Sequence, residues 1–148
     1  MTAEVFATAT FCDDIRQERG NKYSLMGCYG PEIILDELPT VLAKLCANIS
    51  VAFPIDTKAT DVTVRARIGD DIVGEIKLPK EDVEKNFAAI RASAKEDVQR
   101  LTIGIFMIFS PLAVSEPDTL FAEVDTDFGL FRAGRLGIRA RRDGDPVF

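Results

Sequence analysis

Along most of this chain, apolar and polar residues alternate one for one. From Leu45 to Ile55 the odd positions read Leu45, Ala47, Ile49, Val51, Phe53 and Ile55, opposed by Cys46, Asn48, Ser50 and Ala52. A period of two over that length predicts a half-buried strand. Val62, Val64, Ala66 and Ile68 alternate with Thr63, Arg65 and Arg67. Gly69-Asp70-Asp71 then reads as a turn, and Gly74, Ile76 and Leu78 alternate with Glu75 and Lys77, completing a predicted hairpin. Leu120, Ala122 and Val124 mark another strand, and Leu136, Ile138 and Ala140 the last. Leu101–Phe109 is apolar at both parities, which predicts a central strand covered on both sides.

One segment keeps a different period. Val83, Phe87, Ile90, Ala94 and Val98 are spaced by three and four, with Pro79 before them and Glu81 and Asp82 in the first turn. This predicts one amphipathic helix over 80–99. A shorter helical turn is expected over Pro39–Ala43. About eight strands, short turns and one helix imply a mainly β chain: a single domain over 1–148, built as an antiparallel β-sandwich of immunoglobulin-like or C2-like type. A partly open β-barrel is the alternative.

The N-terminal hairpin is legible in register as well as in type. Val5, Ala7, Ala9, Phe11 and Ile15 hold odd positions, as do Tyr23, Leu25 and Tyr29 beyond the polar run "CDDIRQERGNK". With the loop centred near Gly20, Ile15 faces Leu25 and Phe11 faces Tyr29. A slip of one residue sends one apolar set to water, so this register is preferred. It places Asp13 on the apolar face opposite Gly27, and Cys12 beside Cys28 on the other. Asp13 then reads as a structural carboxylate taking backbone N–H bonds or an arginine partner, because an unpaired buried charge costs several kcal/mol. Asp14, Arg16, Glu18 and Arg19 read as a solvated turn, and the cysteines as reduced thiols.

The run "ATFCDDIRQERGNKYSLMGCYG" resembles the N-terminal signature of a family of uncharacterised bacterial and phage proteins: Phe-Cys-Asp-Asp-Ile-Arg-x-Glu, then Gly-x-Lys-x-Ser-Leu-x-Gly. The matching residues are Phe11, Cys12, Asp13, Asp14, Ile15, Arg16, Glu18, Gly20, Lys22, Ser24, Leu25 and Gly27. The resemblance implies a small single-domain chain with no catalytic residues to carry over. It favours a phage or mobile-element component of the virion or of host interaction.

Composition narrows the chemistry. The 148 residues are 47% hydrophobic and 28% charged, with a net charge of −6 that opposes non-specific binding to nucleic acid or anionic membranes. Without a histidine, Ser-His-Asp triads, Cys-His dyads and HExxH zinc sites are excluded. The three cysteines form no CxxC, and no GxGxxG or P-loop occurs, so no cofactor is implied. Leu101–Leu112 is short of the ~20 residues a membrane-spanning helix needs, and the N-terminus lacks a basic, then apolar leader. A cytoplasmic protein, or a virion-associated one, is expected.

Three functional readings follow. The first is a non-enzymatic protein-interaction or structural module, its partner another protein or a second copy of itself. The second is a carboxylate-based metal-binding protein or hydrolase using Asp13, Asp14 and Glu18. Its variant gathers the acidic turns Asp13-Asp14, Asp70-Asp71 and Asp125-Thr126-Asp127 around calcium. The third is an anion or nucleic-acid binder through Arg135, Arg139, Arg141 and Arg142, with Arg132 nearby. Their alternation with Leu136, Ile138 and Ala140 equally fits an edge strand guarded by outward charge. The absences lean against an enzyme.

Overall fold

The computed structural model describes residues 4–146 and turns the alternating segments into strands. In chain order these are β1 (Phe6–Glu18), β2 (Lys22–Cys28), β3 (Glu32–Leu35), β4 (Thr40–Leu42), β5 (Leu45–Pro54), β6 (Val62–Ile68) and β7 (Asp71–Leu78). Helix α1 (Lys80–Ser93) follows, then β8 (Arg100–Phe109), β9 (Leu112–Val114), β10 (Asp118–Thr126) and β11 (Gly129–Ala140). One sheet has the order β2-β1-β5-β8 and the other β3-β11-β10-β6-β7, with β4 and β9 forming a two-stranded flap. The arrangement is a mainly antiparallel β-sandwich; among the described residues β11 with β3 is the one parallel pair, and the sheets do not close into a barrel.

The predicted parities meet in the core. Ile49, Val51 and Phe53 of β5 and Leu101 of β8 pack with Val62, Val64, Leu120, Val124, Leu136 and Ile138 of the facing sheet. Each of these side chains, once buried, contributes roughly 1.5–3 kcal/mol. The sheets approach closely along both flanks. At one flank Gly134 of β11 lies against Ala9 of β1, where an added Cβ would sit 3.1 Å from the Ala9 methyl. At the other, a Cβ on Gly74 of β7 would fall 2.8 Å from the Phe109 ring of β8. Helix α1 spans this second flank, joining β7 to β8 and sinking Val83 and Phe87 into the core. Phe87 meets Phe53 edge-to-face at 5.3 Å.

Several elements differ from expectation. Strand β8 is an edge strand, not a central one: Leu101, Ile103, Ile105, Met107 and Phe109 are buried, whereas Thr102, Gly104 and Ile108 face outward and are exposed. Its second apolar set, Phe106 and Ile108, therefore lies on the surface. The helix ends at Ser93 rather than near 99. Arg91 donates to the Ile55 and Thr57 carbonyls, and the Ile55 amide donates to Gln99 at 3.0 Å, so the chain re-enters the sheet before another turn forms. Its start is capped from a distance, by Asp61 accepting from the Lys80 amide at 2.8 Å. Residues 40–42 are strand, paired with β9, not a helical turn.

Candidate functional site

The first hairpin adopts the expected register. Cys12 pairs with Cys28, Ile15 with Leu25 and Glu18 with Lys22, and the Tyr29 amide donates to the Phe11 carbonyl at 2.9 Å. The turn runs through Gly20 and Asn21, both left-handed. Asp13 and Asp14 lie inside β1, not in the turn. The ladder is interrupted opposite Asp13, where Gly27 has φ +67° and the Asp13 carboxylate packs against its Cα; a Cβ there would clash. Glycine is required by both the angle and the space. Asp13 accepts a hydrogen bond from the Tyr29 hydroxyl, in place of the expected backbone or arginine donors, and is exposed rather than buried. Burial, reinforced by that carboxylate, pushes the Tyr29 phenol up.

The other two carboxylates go elsewhere. Asp14 accepts from Lys44 at 2.5 Å and from the Ile15 amide at 2.9 Å; the ammonium holds its carboxyl below the usual range. Glu18 accepts from Ser24 at 3.1 Å. Asp13, Asp14 and Glu18 thus have three different partners, and among the described residues no group of three ligand side chains is arranged to hold a metal. The acidic turns do not converge either. Ile68 pairs with Leu120 and Val62 with Thr126, so Asp70 and Asp127 sit at opposite ends of the sheet.

The arginines of β11 and of the segment after it are mostly engaged within the chain. Arg139 forms ion pairs with Glu32 of β3 at 3.0 Å and with Asp145 at 2.7 Å. Arg141 reaches Asp36 at 3.4 Å and the Pro146 carbonyl at 2.8 Å. Arg132 lies over the Phe121 ring at 4.2 Å, with Arg67 at 4.4 Å from the same ring. The Arg142 amide donates to Asp145 at 2.6 Å, and Arg135 borders a small recess with Pro31 and Glu32. β3 covers the end of β11, pairing with Gly137–Ala140, and leaves Gly129–Leu136 without a strand partner on that side. The Arg139 and Arg141 guanidiniums thus fasten β3 and the C-terminal segment.

A different surface emerges from the sheet geometry. Beyond the core face of β1, β5 and β8, four rows point outward: Phe6-Ala52-Thr102, Thr8-Ser50-Gly104, Thr10-Asn48-Phe106 and Cys12-Cys46-Ile108. No position in these rows carries a charge. Phe6 and Ile108 are 47% and 53% exposed. The distal hairpin folds back toward this face, since Tyr23 stands edge-on to Phe106 at 4.8 Å and its hydroxyl accepts from Asn48 at 3.3 Å. Beneath it Cys12 and Cys46 are wholly buried, and burial pushes the Cys12 thiol up to about 11. The outer face of the second sheet contrasts sharply, carrying the ion pairs Arg65–Glu75 and Arg67–Glu123 along with Lys77.

Sequence reasoning missed the charge-free face. Its positions are polar or small within each strand and become one surface only when the three strands are laid side by side. Among the described residues no helix is long and apolar enough to cross a membrane. The chain matches no family model, no curated protein and no solved structure.

Proposed function

We propose that this protein is a non-enzymatic interaction module that associates with a second copy of itself through the outer face of β1, β5 and β8. The observation carrying the reading is an uncharged patch of four rows on one outward sheet face, bounded by Arg100 at one end and by the Asp14–Lys44 pair at the other, set against the ion pairs that cross the other face. A chain of net charge −6 repels its own copies wherever charged surfaces meet. The neutral patch lets two copies approach without opposing like charges, and its small residues allow close contact, with exposed Ile108 as an apolar anchor and Phe6, under the Arg100 guanidinium at 4.5 Å, at its rim. The resemblance of Phe11–Gly27 to the phage and bacterial signature supports a place in an assembly, with the reduced thiols supporting a reducing compartment.

Sedimentation velocity over a wide concentration range tests this. The wild type is expected to form a concentration-dependent dimer. Thr8→Lys combined with Gly104→Lys, two exposed positions with no core contact, is expected to leave a monomer with an unchanged urea midpoint. A wild type that stays monomeric at every concentration ends the reading.

A further inference from the structure

The three cysteines, 16 and 18 residues apart in sequence, stand in one line across neighbouring strands: Cys28 on β2, Cys12 on β1 and Cys46 on β5. The two pairs within this row are not equivalent. Because the Tyr29 amide donates to the Phe11 carbonyl, residues 11 and 29 form a hydrogen-bonded pair. In an antiparallel ladder the next pair, Cys12 with Cys28, is then non-hydrogen-bonded, with its Cα atoms roughly 4.5 Å apart and its side chains at their closest. Cys12 turns its backbone groups to β5, so its pair with Cys46 is the wider, hydrogen-bonded kind, roughly 5.5 Å apart. The closer pair is also the one that reagents reach. Cys28 is exposed and lines a groove of about 560 Å³ with Tyr29, Ile33, Leu35 and Arg141, whereas Cys12 and Cys46 are wholly buried.

We propose that Cys28 and Cys12 are a peroxide-oxidisable thiol pair, with Cys28 the reacting thiol and Cys12 the resolving one. The Cys28 thiolate attacks one oxygen of a hydroperoxide; the S–O bond forms, the O–O bond breaks, and the alcohol or water leaves with a proton. The Cys12 sulfur then attacks the Cys28 sulfur, forming S–S and breaking S–O, and water leaves with the Cys12 proton. Two thiols lose two electrons and the peroxide gains them. The bond staples β1 to β2 beside the break in their ladder at Gly27. Cys46 keeps its thiol, being buried beyond the reach of the oxidant and on the wider side of Cys12.

The reduced full-length chain treated with hydrogen peroxide, then denatured, alkylated and digested with trypsin, decides the matter. Cleavage after Arg16, Lys22, Lys44 and Lys58 puts each cysteine on its own peptide. The expected result is a loss of two hydrogens, one alkylated thiol at Cys46, a Cys12–Cys28 crosslink, and recovery of all three thiols with dithiothreitol. Cys46→Ala is expected to give the same crosslink. A Cys12–Cys46 bond, a Cys28–Cys28 bond between chains, over-oxidised Cys28 beside a free Cys12, or three unreacted thiols would each overturn the proposal.

Discussion

Gly27 and Cys12 show how much a single position decides here. Gly27 combines a left-handed φ of +67° with the Asp13 carboxylate lying against its Cα. Gly27→Ala is expected to cost more than the ~1–2 kcal/mol of the backbone strain alone, because the methyl also displaces Asp13. Tyr29→Phe, which removes only the donor to Asp13, is expected to cost about 1–2 kcal/mol. Urea unfolding of both variants checks the order, and an unperturbed Gly27→Ala would show that this packing does not shape the hairpin. The position opposite Asp13 was readable from parity; its backbone angle was not, since a carboxylate's resting place depends on strands that the local sequence does not describe.

Cys12 makes a pH prediction. Its thiol holds the proton to about 11, against 9.0 when unperturbed. An acid whose folded pKa is raised contributes stability that is fully present below the unfolded value and lost as the pH climbs through the folded one. Stability is therefore expected to fall between about pH 9 and 11, by on the order of 2–3 kcal/mol from this group. Cys12→Ala is expected to show a shallower decline over the same window in urea titrations. Parallel curves for the two proteins would refute the assignment to Cys12. The Tyr29 phenol, also raised, extends the decline to higher pH.

At the scale of elements, Arg139 of β11 acts as a fastener. Arg139 joins Glu32 of β3 to Asp145 beyond the strand's end, and both partners hold its charge. The Arg139 guanidinium and the Arg142 amide keep the Asp145 carboxyl far below the usual range, so its contribution is present above the ordinary carboxylate pKa and lost in acid. Asp145→Asn is expected to speed amide exchange in Ile33–Leu35 and in residues 141–146 while leaving β5 and β10 unchanged. Hydrogen exchange read by mass spectrometry tests it; uniform protection would mean the pairs hold nothing. The alternation of β11 was plain in the sequence, yet its place beside β3 was not, because β3 is four residues long with no period of its own. β8 failed in the opposite way. Its apolar residues at both parities mimic a central strand, but the outward pair, Phe106 and Ile108, serves a surface.

For the whole molecule, the neutral face and the ion-paired face make opposite claims about salt. Association through β1, β5 and β8 is expected to hold or strengthen as ionic strength rises, since no contact charge pair is lost while the repulsion between two chains of net charge −6 is screened. Binding of an anionic polymer through arginines weakens steeply with salt. Sedimentation in the presence and absence of added salt separates them, and self-association that weakens steeply with salt would rule out the neutral patch as the contact.

The sequence by itself determined the class of fold, the register of the first hairpin and most of the buried set, because a two-residue rhythm commits each side chain to one face wherever one face is buried. It also placed the three cysteines and the arginines on identifiable faces of single strands. Only the tertiary structure decided which strands are neighbours: that β8 is an edge, that β3 covers the end of β11, that Asp61 caps the helix, and that three strands of small residues join into one uncharged surface. Neighbourhood is set by packing between segments far apart in the chain, and no local pattern records it.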